Sequence, residues 1–408
     1  MSENPSLTRQ VDCCIVGAGP AGLMLALLLA RRGVAVELLE LHEDFDRDFR
    51  GDTVHASTLN VLDQIGLADA CLSQPHTRVT GLKIQTPVEV IETAVFDRLP
   101  GRFPFLAIMP QVAFLNFIHD QACSHEGYRF RPGAAVAQVI RDGRDRVIGV
   151  RGREDGSDFE VHAKVVVGAD GRFSRLRKHL QLPAEERSPP MDVCWLRVTR
   201  QPSDEEQQAA FYVAGGRMLV CIPRETEWQL GYVFPKGDFN TIKAAGIEAF
   251  RAGLVEVGPW LGDRADDIES FDAVHLLRVS SDCLTQWAVP GALLIGDAAH
   301  VMSPVGGVGI NAAIADAVAA ANHLGPELLA GRVPTIEVLD RVQQERSLIT
   351  RIIQTAQRAI QSNLVARAIR EEDFKLPLPA RLIAQVPGLR ALPARLFALG
   401  VRQPRLRF

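Results

Sequence analysis

A chain of 408 residues with 47% hydrophobic and 23% charged residues has the balance of a soluble globular protein and is long enough for two or three domains. Its net charge of −4 gives no electrostatic basis for nucleic-acid binding, and its polar start, MSENPSLTRQ, lacks the basic-then-apolar layout of a signal peptide. Seven cysteines with no CxxC spacing fit reduced thiols in a cytoplasm, with Cys13 and Cys14 packed in the core.

The segment VDCCIVGAGPAGLMLALLLARRGVAVELLE predicts a buried strand (Val11–Val16), a glycine turn, an apolar helix and a second strand (Val34–Leu39). Gly17, Gly19 and Gly22 hold the three positions of a GxGxxG turn. The first serves the tight turn, the second lets backbone approach a pyrophosphate, and the third allows close packing of helix on sheet. Amides and the positive helix end then face the phosphates, so no cationic side chain is needed inside the turn. Glu40 ends the second strand 18 residues past Gly22, where a carboxylate accepts the hydroxyls of an adenosine ribose. The apolar run Cys13–Ala30 is broken by Gly17–Pro20 and stopped by Arg31 and Arg32, which excludes a transmembrane helix.

A charged loop follows, in which Arg50 precedes Gly51 and is either a phosphate or ring contact or a solvated arginine. A short helix then ends near Gly66. Alternating residues over 77–99 predict strands that leave the nucleotide domain, and PFLAIMPQVAFLNFIHDQACSHEG predicts a strand and a helix with Gln111 just inside the turn between them. Residues 128–170 read as a β-meander with hairpin turns at Arg141–Asp142–Gly143 and Glu154–Asp155–Gly156. The apolar strand Val165–Gly168 then delivers Asp170 and Gly171 at its carboxyl end, where open α/β sheets bind ligands.

From about Pro183 to Ser280 the strands predict a separate antiparallel-sheet domain. It contains Trp195, Phe211, Tyr212, Trp228, Tyr232 and Phe234, and alternation alone does not say which of them face a cofactor. Gly291–Ala320 returns to nucleotide chemistry. An apolar strand ends in Gly296–Asp297, and a loop with Gly306, Gly307 and Gly309 leads into a small-residue helix starting near Asn311. Asp297 suits a polyol chain, and the helix start suits the negative side of a reduced isoalloxazine. Thr335–Ala366 has apolar residues at helical spacing, with Thr335 available as N-cap.

The motifs GAGPAG, DGRFSRLR and GDAAHVMSPVGGVGIN, in this order, resemble those of the flavin-dependent hydroxylases related to para-hydroxybenzoate hydroxylase, and more closely of the branch with the ubiquinone-biosynthesis hydroxylases. The resemblance covers roughly residues 10–325. It implies an α/β fold: a discontinuous Rossmann-type FAD-binding domain, an inserted antiparallel-sheet substrate domain and a helical C-terminus. The expected boundaries are FAD-binding parts at 1–76, 101–182 and 281–330, substrate-domain strands at 77–100, an antiparallel sheet at 183–280, and a helical region with a basic tail at 331–408. The resemblance implies that Gly17, Gly19, Pro20, Ala21 and Gly22 form the pyrophosphate turn and that Glu40 holds the ribose. It also implies that Arg50 and Gln111 contact the phosphate and ribityl regions and that Asp297 binds the ribityl chain. Gly307, Gly309 and Ile310 would place backbone beside the pyrimidine ring, and Pro304 would stand near the site of oxygen addition. Asp170 would be shared between FAD and the nicotinamide nucleotide.

The implied activity is an FAD monooxygenase that uses NADH or NADPH and O₂ to hydroxylate a small aromatic or polyketide-like substrate through a C4a-hydroperoxyflavin. It requires no metal and no side-chain nucleophile. His55 and His300 are candidate proton relays or structural histidines. Alternatives on the same scaffold are a reductase of the geranylgeranyl-reductase type and a non-catalytic flavin-binding protein. No WxWxIP segment of the flavin halogenases is present; Cys221–Ile222–Pro223 lacks both tryptophans. The protein is expected to be a cytoplasmic monomer or homodimer. Its tail, Leu376–Phe408, carries six arginines (Arg381, Arg390, Arg395, Arg402, Arg405 and Arg407) and no acids. The tail either makes a peripheral contact with an anionic membrane or packs on its own domain or a second subunit, and five prolines argue against one long interfacial helix.

Overall fold

The computed structural model describes residues 7–46, 51–204, 208–371, 374–377, 381 and 387–407. Its centre is an eight-stranded sheet. Along the main path the strands run Ala288–Val289, Ala292–Leu294, Ser157–Gly168, Leu7–Val16, Val36–Leu39 and Tyr128–Arg131, and all but the first are parallel to their neighbours. Val147–Glu154 and Ala135–Arg141 fold back antiparallel on the outer half of Ser157–Gly168. Asp155 and Gly156 both take positive φ in the hairpin turn expected between Glu154 and Ser157.

The parallel strands are buried on both faces, which is why they read as near-continuous apolar runs. Cys13, Cys14, Ile15, Val165, Val166 and Val167 are fully buried, as expected for the two cysteines. The helices Pro20–Ala30 and Gly309–Leu329 pack against each other, and the whole of Ala21–Ala30 is buried. An 11-residue helix with so little polar surface fits only the interior of a layered sheet protein.

Register decides where the site lies. Val16 is paired with both Gly168 and Leu39, so Gly17, Ala169–Asp170 and Glu40 leave the sheet side by side at its carboxyl edge. Backbone bonds fasten that edge: Gly17 N–H to Leu39 C=O at 2.7 Å, Ala169 N–H to Val16 C=O at 2.7 Å, and Ile295 N–H to Gly168 C=O at 2.9 Å.

A second, seven-stranded sheet has the order His275–Leu277, Met191–Thr199, Glu227–Pro235, Arg217–Pro223, Gln208–Ala214, Gly81–Gln85 and Val90–Val95. It is not purely antiparallel. Gln208–Ala214 runs parallel to Gly81–Gln85, because the early 81–95 hairpin is added at the edge of a sheet otherwise built from residues after 190. The helices Phe239–Ala244 and Ile247–Val257, not foreseen in the sequence, lie in this half of the chain, and Phe250, Leu254 and Val257 of the second pack on one face of the sheet.

The expected long helix is Ile336–Ile360, continued by a π-turn at Gln361–Val365. Thr335 precedes it without a capping hydrogen bond from its side chain to the helix amides. Among the described residues no helix is long and apolar enough to cross a membrane.

The C-terminal helix Pro387–Leu399 packs on Val90–Val95 and Ala56–Gln64. Arg381 pairs with Glu89, Arg407 lies 3.7 Å from Glu345, and the backbone of Arg405 and Arg407 is bonded to Asn322. The described part of the basic tail therefore docks on its own chain.

Candidate active site

The carboxyl edge of the first sheet and one face of the second enclose a single cavity of about 990 Å³. Of the residues singled out in the sequence, Gly17, Gly19, Pro20, Ala21, Glu40, Gln111, Asp170, Asp297, Pro304, Gly307, Gly309 and Ile310 all line it. Gly22 does not, and Arg50 lies outside the described residues.

The glycine turn shows two different requirements. A Cβ at Gly22 would lie 1.9 Å from the Gly17 carbonyl oxygen, so this position must be glycine for helix and turn to meet. A Cβ at Gly19 would meet nothing within 4 Å. The space over Gly19 is open, and the start of the helix Pro20–Ala30 faces it with no capping side chain and no acidic residue in the first turn. The helix Gly309–Leu329 also begins at the cavity wall, again without a side-chain cap or a first-turn acid. Two helix N-termini thus direct amides and partial positive charge into one space.

Glu40 is buried, with Oε2 accepting the Ala18 amide at 2.7 Å and Oε1 the His42 amide at 3.1 Å. It braces the glycine turn at the cavity wall. Asp170 turns back on its own chain, accepting Ser174 Oγ at 2.5 Å and the amides of Arg175 at 2.8 Å and Leu176 at 3.2 Å. Burial nevertheless raises its pKa above the ordinary value, against these bonds. Gln111 is the first residue of its helix, and its amide donates to Asp52 Oδ1 at 3.0 Å.

The two histidines have separate environments. His55 lines the cavity, stacks on Phe397 at 4.9 Å and bonds through Nδ1 to the Phe397 carbonyl at 2.8 Å. Burial lowers its pKa to about 4, only partly offset by the carbonyls of Phe397, Gly306 and Gly307. His300 does not line the cavity. Its Nε2 meets Asp316 Oδ2 at 2.6 Å, and Asp316 also accepts Arg346 Nε at 2.7 Å and the Gly296 amide at 3.0 Å. Burial alone would push Asp316 up, but His300 and Arg346 hold it down to about 2. This network ties the loop carrying Asp297 to the helices Gly309–Leu329 and Ile336–Ile360. His300 is therefore a structural histidine.

The far end of the cavity is apolar. Met191, Val193, Trp195, Phe211, Met218, Val220 and Val233 face it from the second sheet. Ile349, Ile352, Ile353, Ala356 and Ile360 face it from the long helix. The apolar stripe of that helix thus serves partly as a cavity wall, which explains why Ile352 and Ile360 are 40% and 43% exposed. Tyr212, Trp228, Tyr232 and Phe234 lie on the opposite sheet face, in a closed core with Phe250 and Leu254. Asp52, Arg224 and Gln229 were not singled out in the sequence. Arg224 bonds to Gln229 Oε1 through Nε at 2.9 Å and Nη2 at 2.6 Å, and Nη2 also pairs with Asp52. The available signal was Gln229 itself, a polar residue at an inward-facing strand position.

Helix starts and strand-end carboxylates thus surround one end of a cavity whose other end is an apolar chamber. The chain matches the family described as "FAD binding domain" over residues 10–356 and belongs to it. It is 30% identical over 398 residues to 6-methylpretetramide 4-monooxygenase of Streptomyces rimosus, covering 96% of this chain and 93% of that one. Among solved structures, the anhydrotetracycline hydroxylase OxyS of the same species superposes with TM-score 0.73 at 25% identity, covering 97% of this chain and 77% of that one. PqsL of Pseudomonas aeruginosa, described as a probable FAD-dependent monooxygenase, gives TM-score 0.76 at 22% identity, with 88% and 98% covered, and supports the fold. The family and the full-length relative make this chain a flavin-dependent monooxygenase.

Proposed function

We propose that the chain uses FAD, NADH or NADPH, and O₂ to hydroxylate a neutral aromatic or polyketide-like small molecule. The observation that carries this reading is the continuity of one cavity from the glycine turn to the inner face of the second sheet. Bound FAD, once reduced by the nicotinamide nucleotide, supplies the activation of O₂ for oxygen transfer to an electron-rich carbon.

The residues present fit that group. The open space over Gly19 and the helix start at Pro20 suit the pyrophosphate, and Glu40 suits the ribose beside it. Asp297 reaches the cavity from the strand end where a ribityl chain would run, and Gln111 also lines the cavity. Amides of Gly309 and Ile310 at the start of the Gly309–Leu329 helix would stabilise negative charge on the reduced ring, while the Gly307 amide is donated to the Pro304 carbonyl at 3.0 Å and Pro304 presents no amide hydrogen. Asp170 shapes the adjoining turn, where the nicotinamide nucleotide would pass. The apolar chamber orients the substrate and excludes water from the reacting atoms. His55 stays neutral at physiological pH and gives the chamber no cation.

The test begins with the purified protein, expected to be yellow with FAD that is released on denaturation. Small phenols and polycyclic ketones are then screened for stimulated NADH and NADPH oxidation, with ¹⁸O₂ as oxidant. Oxygen from O₂ in the product supports the proposal. A reduced product with no labelled oxygen overturns it in favour of a reductase.

A further inference from the structure

We propose that Gln229 is the substrate-orienting donor of the apolar chamber, that Arg224 fixes the direction in which it donates, and that the ligand group it receives is an uncharged acceptor oxygen, a carbonyl or phenol, on a flat aromatic molecule. This deepens the monooxygenase reading and rests on it.

The residues that the seven-stranded sheet contributes to the cavity wall include no charged side chain among the described residues. Three carry a hydrogen-bonding group: Thr93, Gln229 and, through its indole N–H, Trp195. The Thr93 hydroxyl is already committed, donating to the Leu82 carbonyl at 3.1 Å. Gln229 is 4% exposed and lies in an inward-facing row with Gly231 and Val233. A guanidinium has donors only, so the two bonds from Arg224 must be received by the amide oxygen. The NH₂ group is thereby directed away from Arg224. A free glutamine could flip and offer either group, whereas this one is held as a donor.

Arg224 is in turn anchored. It is 7% exposed and paired with Asp52, whose other oxygen takes the Gln111 amide at 3.0 Å. The guanidinium charge is compensated by Asp52 and does not draw an anionic ligand to the chamber.

Next to Gln229 the wall is shaped for a plane. A Cβ at Gly231 would come within 2.9 Å of the Trp195 ring, so the missing side chain lets the indole lie across the strand. Phe211 and Val220 continue the same apolar wall. A flat ring system packed here and carrying one oxygen toward Gln229 meets an amide donor whose direction Arg224 already fixes.

The test is a fluorescence titration of the FAD-loaded protein with two probes of equal skeleton, 9-fluorenone, which has a carbonyl acceptor, and fluorene, which lacks it. The unaltered protein is expected to bind fluorenone about fivefold to tenfold more tightly, the value of one buried hydrogen bond. Gln229→Leu should abolish that preference while leaving fluorene affinity within about twofold. Gln229→Glu, whose carboxylate pairs with Arg224 and has no N–H, should abolish it as well and serves if the leucine variant does not fold. Arg224→Lys keeps the charge beside Asp52 but loses the two-pronged hold, and should reduce the preference only in part.

Equal affinity for the two probes in the unaltered protein, including no binding of either, overturns the proposal. So does an equal loss of both probes in Gln229→Leu, which would make Gln229 only a partner for Arg224. The flavin spectrum and ¹⁸O incorporation report separately on the monooxygenase reading, so the two can fail independently.

Discussion

Replacing Asp316 by Asn should damage the FAD site without touching it. The carboxylate is fully buried and carries three partners, His300 Nε2, Arg346 Nε and the Gly296 amide. An asparagine keeps one acceptor. If its oxygen takes Arg346, its NH₂ group is set against the Gly296 amide, donor against donor, and Arg346 loses its countercharge. Breaking a buried pair in this way costs about 3–5 kcal/mol. Proton linkage gives an independent figure: a carboxylate held down from 3.8 to about 2 contributes roughly 2.5 kcal/mol. The folded pKa is depressed, so this stability is present above about pH 4 and is lost as pH falls toward about 2. Denaturant unfolding of the unaltered protein and Asp316→Asn at pH 7 and at stepwise lower pH measures both. The expected result is a deficit of about 3 kcal/mol at pH 7 that narrows on acidification, with weaker FAD retention because the loop carrying Asp297 is loosened. A deficit below about 1 kcal/mol, or one unchanged by acid, refutes the reasoning.

Three further outcomes are expected. Asp297→Ala should weaken FAD binding by about 1.5–3 kcal/mol through loss of a charged acceptor, measured by fluorescence titration of the apoprotein. Gly19→Val should fold with unchanged circular dichroism yet fail to retain FAD, whereas Gly22→Ala should lower the unfolding midpoint, because only the second Cβ strikes backbone. The stability of the unaltered protein should fall as pH drops from about 6.5 toward about 4, by roughly 3 kcal/mol, as the unfolded chain gains a proton that buried His55 does not accept. His55→Gln should flatten that part of the pH–stability curve.

The glycine turn, Glu40 and Asp297 were legible because their requirements are local: a turn that needs glycine, and carboxylates at strand ends a fixed distance along the chain. The same holds for the hairpin at Asp155–Gly156. The second sheet was legible only in part. Alternation separates Trp195 and Phe211 from Tyr212 and Trp228, but nothing local states which row meets the cofactor. The parallel pairing of Gln208–Ala214 with Gly81–Gln85 joins segments more than 100 residues apart, and no local pattern encodes it. His300, Asp316 and Arg346 come together from three elements, as do Asp52, Arg224 and Gln229. Such networks are consequences of packing, and each member alone reads as an ordinary polar residue. The tail's arginines left a membrane surface, the chain's own domain and a second subunit open, and Arg381–Glu89 and the stacking of Phe397 on His55 bind the described part of the tail to the body.

The strands of the second sheet divide two burdens between odd and even positions. Leu196, Leu219 and Leu230 are wholly buried against the covering helices, and shortening any of them opens a void in a closed core. Trp195 and Val220, one residue away from Leu196 and Leu219 on the same strands, and Phe211, next to the core residue Tyr212, border an already open space, so resizing them alters the shape of that space and leaves the helix-covered core intact. Single substitutions there can therefore change ligand preference without opening the helix-covered core. The fold supplies a mould whose inner surface is open to change and whose outer surface is not.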